Sequence, residues 1–361
     1  MRHPQIHLGG GCWVPLDPGC PAQDMRKRQR PIDISGMSCY SLRYFNETLH
    51  AIPEQRARQG AAAMICATVI ADYQNLCGEC PVWNLQQGTL EWTDQTGQKF
   101  FRLEWASLHH CLVKQGLAIN GFRPNRKGGF VITNNDGVWL WDGADKLDLL
   151  AAEVEGSKCQ MNDCVADSKG RLLTGSCFYN PSAEYELGKL IQLDTSGRAR
   201  VLDDGFHLAN GLGFSPDSRI LYFADSAARR IFAYDYDLGR GTVQNRRVFV
   251  QVPKTEGLPD GLSVDSEGYV WSAQWYASSI VRYDPDGKVE RRIQFPAKQV
   301  SSLAFGGSQL TDIFVTSAAQ SEPMPIMPPG YDPQTGPFGG ALYHLNVGIA
   351  GQPPCMADIE V

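Results

Sequence analysis

Three segments of this 361-residue chain repeat one pattern at nearly constant spacing: Val165-Ala166-Asp167-Ser168 leading to Leu172-Leu173, Phe214-Ser215-Pro216-Asp217-Ser218 leading to Ile220-Leu221-Tyr222, and Val264-Asp265-Ser266 leading to Tyr269-Val270-Trp271. Asp167, Asp217 and Asp265 lie 50 and 48 residues apart. Such a period is the mark of a stacked or circular repeat. Between these turns lies a second hairpin pattern, at Lys189–Leu202, Ile231–Phe249 and Ile280–Phe295. The last turns through Asp284-Pro285-Asp286-Gly287-Lys288, where an Asp-Gly step suits a tight hairpin. Two hairpins per period make four strands.

Four-stranded units of about 40–50 residues predict an all-β fold, a β-propeller. Earlier copies start at Gly88-Thr89-Leu90 and Gly129-Phe130-Val131, and a last copy runs through Ser302–Phe305, Ile313–Thr316 and Ala341–Leu345. Residues 64–361 at this period give six four-stranded blades. The apolar stretch Ala67–Ala71 is the candidate N-terminal strand that completes the last blade and closes the ring. The Pro-rich stretch Glu322–Gly339 is expected to be an insertion in that blade, of a length that often shapes a site entrance.

Residues 1–63 share neither period, and only Glu47–Ala63 has the pattern of a marginal helix. Eight Lys or Arg against five Asp or Glu give this stretch +3, so 64–361 carries −9 of the formal net charge of −6. It lacks the uninterrupted apolar run of a secretory signal. The expectation is a poorly ordered extension ahead of the catalytic domain 64–361, with Met64 the start of the functional protein.

That mild acidity offers no general attraction for nucleic acid or an anionic membrane, and no run of about 18 apolar residues is present. Eleven Cys without disulfide-scaffold spacing fit a reduced compartment, so a cytoplasmic monomer or weak homo-oligomer is expected. Cys77 and Cys80 have C-x-x-C spacing, but no second pair completes a tetrahedral zinc set, and they read as ordinary thiols. His109 and His110 are adjacent and on a strand would face opposite ways.

Chemistry is expected where polar residues recur at one phase of the repeat. Glu79, Asn162-Asp163, Asn210 and Asp260 precede strand turns at comparable places, with 48 residues from Asn162 to Asn210 and 50 from Asn210 to Asp260. Equal phase puts these side chains around one axis. Carboxylates and amide oxygens form a hard set suited to one divalent cation, Ca, Mg or Mn, with Zn also accommodated. Alternatively, Asn210-Gly211 and Asp260-Gly261 are turn pairs set by local hydrogen bonding.

From Leu76 to Ile359 the chain resembles the regucalcin, or gluconolactonase, family of six-bladed propellers, the senescence-marker-protein family. The resemblance is carried by Glu79-Cys80-Pro81-Val82-Trp83, Asn162-Asp163 with Gly170-Arg171, Asn210-Gly211-Leu212, Pro259-Asp260-Gly261-Leu262 with Gly268 and Trp271, and Phe305-Gly306-Gly307 with Val315-Thr316. It implies that Glu79, Asn210 and Asp260 bind one divalent cation. It also implies metal-dependent hydrolysis of a sugar lactone, with Asp260 as general base toward water and Asn162 orienting the substrate.

The chain departs from the family pattern where an Arg usually stands two residues before Asn162: here it is Gln160, a substrate-binding candidate without the cationic fork of Arg. Cys164 stands where Gly is common. Phe178, Tyr179, Trp275 and Tyr276 are candidates either for the mouth of the site or for blade packing. Two other readings share the scaffold: hydrolysis of organophosphates or activated esters, and a calcium- or ligand-binding propeller without catalysis.

Overall fold

The computed structural model describes residues 67–158, 160–177, 187–320 and 326–360. The expected extension 1–63 and its marginal helix lie outside them, as do Phe178 and Tyr179. Met64–Val361 is one compact unit. Among the described residues the secondary structure is all β, with six antiparallel sheets of four strands and one short hairpin at Glu153–Lys158. No described helix is long and apolar enough to cross a membrane.

The first strand of each blade lines the central channel: Gly78–Asn84, Gly121–Pro124, Met161–Ala166, Ala209–Phe214, Leu258–Val264 and Gln299–Gly306 for blades 1 to 6. Blades 1 to 5 add strands outward in chain order. In blade 6 the outermost strand is Thr68–Asp72, paired antiparallel with Ala341–Asn346. The expected N-terminal closure is therefore what the fold uses. It joins the two ends of the ring and covers an edge that would otherwise be open.

The packing holds each blade to both of its neighbours. Sheets buried on both faces expose apolar side chains to two neighbours, and the core divides into six apolar clusters, one at each blade junction. Phe314 of blade 6 stacks on Trp83 of blade 1, and Phe100 of blade 1 meets Trp141 of blade 2 edge-on. Leu173 of blade 3 packs with Phe223 of blade 4. Burying each such side chain contributes about 1.5–3 kcal/mol. Burial falls off outward: Thr89–Asp94 is buried throughout, whereas the outer strand Thr242–Gln251 is largely exposed.

The aspartates that set the period act as turn anchors. Oδ1 of Asp167 accepts the N–H groups of Lys169 and Arg171, and Oδ1 of Asp265 accepts those of Glu267 and Tyr269. Their other oxygens hold the buried guanidiniums of Arg171 at 2.6 Å and Arg282 at 2.7 Å. At this end of the channel the C-terminal segment crosses the blades, and Gln352 Nε2 donates to the carbonyls of Phe214 and Val264.

Candidate active site

At the opposite end from these turns, four inner strands carry the same irregularity. The pairing with the second strand slips between Glu79 and Val82, Met161 and Cys164, Ala209 and Leu212, and Pro259 and Leu262. In each bulge two inner residues oppose one on the partner, which frees a side chain from the pleat and re-aims it. Asn162, Asn210 and Asp260 each occupy the first of the two bulged positions. Glu79 stands one residue earlier, and in its blade the bulged position is taken by Cys80 in the left-handed region at φ 46°. The extra methylene of Glu over Asp suits this earlier starting point.

The glycines after Asn210 and Asp260 are not turn residues, which overturns the local-turn alternative. Both lie inside strands, and neither has a positive φ. What they provide is closeness: a Cβ on Gly211 would stand 2.4 Å from the N of Leu262, and one on Gly261 would stand 2.2 Å from the Oγ of Ser302. Adjacent inner strands can meet here only through a residue without a side chain.

The bulges open onto a cavity of about 230 Å³ whose wall includes Glu79, Asn162, Asn210 and Asp260. Asp260 is 4% exposed, and its Oδ1 is buried without a hydrogen-bond partner among the described residues. Burial, then the charge of Asp163, push the Asp260 carboxyl well above its ordinary range. Burial, then the charges of Asp260 and Asp163, do the same to Glu79. Asp163 lies just below the cavity wall, where burial raises it against the pull of Arg123.

The amides form a directed chain across three blades. Gln95 Nε2 donates to Asn162 Oδ1 at 3.1 Å, and Asn162 Nδ2 donates to Asn210 Oδ1 at 3.0 Å. Asn210 Nδ2 donates to the Oγ of Ser226 at 3.1 Å, and that hydroxyl donates to the carbonyl of Pro259 at 2.6 Å. One lone pair of Asn210 Oδ1 remains for a ligand.

These donors suit a hard divalent cation. An uncompensated buried carboxylate oxygen costs free energy unless something positive meets it, and two buried carboxyls both pushed up by burial and by the charge of Asp163 favour the same partner. The set is two carboxylates and an amide oxygen; no trio of His, Cys, Asp or Glu gathers anywhere among the described residues. A hard ion accepts such oxygens, and the wall thiol Cys177 is kept protonated rather than offered as a thiolate, because burial pushes it up to about 11.

A family model described as the SMP-30/gluconolactonase/LRE-like region matches residues 77–319, a span that holds all six inner strands. The chain belongs to this family. A pentonolactonase from Haloferax volcanii is 33% identical over 81% of this chain and 99% of its own length. A 6-deoxy-6-sulfogluconolactonase from Pseudomonas putida is 30% identical over 77% of this chain and 93% of its own length. The propeller also superposes on a calcium-binding protein, regucalcin, from Agrobacterium tumefaciens with a TM-score of 0.70, at 24% identity, covering 81% of this chain and 97% of that one; this likeness speaks for the fold.

Of the residues expected at the site of this family member, Glu79, Asn162, Asn210, Asp260 and Trp275 line the cavity. Gln160 does not: it is exposed just before the inner strand of blade 3, and its carbonyl accepts the Cys177 N–H at 2.9 Å. Tyr276 is buried and packs against Tyr331 with the two rings tilted by 57°; Tyr331 lies in the Pro-rich segment, which joins the second and third strands of blade 6. Gln95, Asn120, Asn135, Cys177, Leu208, Ser226 and Leu258 also line it and were not expected, and so does Cys77, expected only as an ordinary thiol. A second register would have found several of them. Gln95, Asn135, Cys177 and Ser226 each follow immediately on the second strand of blades 1 to 4.

Proposed function

We propose that this chain is a lactonase that hydrolyses a sugar lactone, with one divalent cation held by Glu79, Asn210 and Asp260. The observation that carries this reading is the convergence of the three side chains from three blades on one cavity, with a carboxylate oxygen of Asp260 left unpartnered there. The pentonolactonase and sulfogluconolactonase relatives, aligned over most of their own length, support the same reaction class.

The cation, when bound, supplies Lewis-acid polarisation of an ester carbonyl and acidification of water. The chain supplies the rest. The Asp260 carboxylate takes a proton from the water that attacks the lactone carbonyl carbon, and the ring C–O bond then breaks. The leaving alkoxide recovers that proton from Asp260, so the product is the open-chain hydroxy acid and the carboxylate is regenerated. Asn162 has both Nδ2 protons committed, to Asn210 Oδ1 and to the carbonyl of Ala209 at 2.9 Å. It therefore offers the substrate a lone pair of Oδ1, a partner for a hydroxyl.

The test is turnover of a lactone panel, followed by proton release, for the wild type and for Glu79→Gln and Asp260→Asn. The reading expects loss of about 100-fold or more for Asp260→Asn, where both the base and a cation donor are weakened. Undiminished turnover in both variants overturns it.

A further inference from the structure

The wall of this cavity is divided by chemistry. Apart from Glu79, Asn210 and Asp260, the side of blades 1 to 3 carries four carboxamides, Gln95, Asn120, Asn135 and Asn162, beside Cys77 and Cys177, and the side of blades 4 and 5 carries Leu208, Leu258 and Trp275 beside Ser226. Among the described residues no Lys, Arg or His lines it.

The cations in the neighbourhood are committed elsewhere. Arg229 donates to the carbonyls of Glu256, Gly257 and Ile326. His207 lies against Asp225 at 3.3 Å. Arg123 donates to the carbonyl of Phe122 at 2.6 Å and lines a different cavity, at the other end of the channel.

The carboxamides retain both kinds of hydrogen-bonding capacity. Asn120 Nδ2 spends its protons on Asn135 Oδ1 at 3.0 Å and on the carbonyl of Met161 at 2.8 Å, which leaves its own Oδ1 as an acceptor. Asn162 likewise keeps a lone pair on Oδ1. Asn135 Nδ2 and one proton of Gln95 Nε2 remain as donors. A hydroxyl, which donates and accepts, matches such a wall. A sulfonate, phosphate or second carboxylate does not: it accepts only, it meets the acceptors of Asn120 and Asn162, and no cationic side chain offsets its desolvation.

We propose that the cavity selects a neutral polyhydroxy lactone and discriminates against lactones that carry a second, anionic group. Gln95, Asn120 and Asn135 are the specificity-determining residues: they read hydroxyls, while the apolar face of the ring lies toward Trp275 and Leu258. This rests on the lactonase reading.

The test compares one ring in two charge states. Glucono-1,5-lactone, its 6-phosphate and its 6-deoxy-6-sulfo analogue are assayed for kcat/KM, and the corresponding unhydrolysed lactams are titrated calorimetrically. Both readouts are expected to favour the neutral ring by about tenfold or more. Asn135→Arg, at an exposed position on the wall, is expected to raise the anionic-to-neutral ratio by about tenfold. If the sulfonated or phosphorylated lactam binds as well as the neutral one, or if none of them binds, the selectivity is overturned. Should the neutral lactam bind preferentially while no lactone is opened with any cation present, the selectivity stands and the lactonase reading falls.

Discussion

Asn210 and Ser226 are locked in one orientation. Nδ2 of Asn210 donates to the Ser226 Oγ across 3.1 Å, and the hydroxyl proton is already given to the carbonyl of Pro259, the residue before Asp260. The Ser226 oxygen can then only accept, so the amide oxygen of Asn210 must face away from it, toward Asn162. One buried hydroxyl thus ties two of the three proposed cation donors together. Replacing Ser226 by Ala leaves the Asn210 amide free to rotate and should weaken divalent-cation affinity about tenfold, read by calorimetric titration. An unchanged affinity would mean that Asn210 is oriented without it.

Gly211 is a position where the ring admits no side chain. A methyl group there would meet backbone atoms of Leu262 and Asp260, which have nowhere to move because they form the inner strand of blade 5. Gly211→Ala should lower stability by about 1–3 kcal/mol, seen as a lower urea midpoint, through overpacking. A midpoint equal to that of the wild type would contradict the packing role given to the Asn-Gly and Asp-Gly steps.

The closing strand Thr68–Asp72 makes a truncation series informative. A chain begun at Met64 keeps every described strand, and its thermal midpoint should match that of the full chain. A chain begun at Tyr73 loses the strand that pairs with Ala341–Asn346 and the buried Ala71. It should melt lower and elute as larger species in size-exclusion chromatography, because blade 6 then presents an open edge.

Cys177 reports on the cavity through its pH dependence. Burial pushes its thiol up to about 11. At pH 8 only about one part in a thousand is thiolate, compared with about a quarter for an unperturbed thiol, so alkylation should be slower by about two orders of magnitude. The rate should climb about tenfold per pH unit between pH 7 and 9 and fall when a lactam occupies the cavity. A rate that is flat with pH would contradict the protonated state of this thiol.

The repeat made the ring legible because the turn chemistry is local: Asp167 and Asp265 each anchor their own bend, and in blade 4 Ser215 holds the equivalent place with Asp217 two residues on, so the spacing survives in the sequence to within two residues. The phase of Asn162, Asn210 and Asp260 was legible for the same reason, since all three sit in one recurring bulge. Glu79 joins them from one residue away; its comparable place before a strand turn and the resemblance both pointed to it. Gln160 was expected at the site only because the resemblance puts an Arg at that place, and a resemblance in sequence does not say where a different side chain turns: here it is exposed and off the cavity wall. Gln95 and Asn135 escaped notice because they follow the second strands, in a register that shows no chemistry until the bulges bring the inner strands beside it, and Asn120 because it stands just before an inner strand, outside the recurring bulge. The role of the two glycines could not be read from sequence at all, because it depends on a neighbouring blade some 50 residues away.

The most direct measurement is lactone turnover by protein stripped with a chelator and then supplied separately with Ca²⁺, Mg²⁺, Mn²⁺ or Zn²⁺. The account predicts that stripping abolishes hydrolysis, that at least one of these cations restores it in the wild type, and that none restores it in Asp260→Asn. Full activity in the stripped protein, or restoration in Asp260→Asn to the wild-type rate, would contradict a cation site built on Glu79, Asn210 and Asp260.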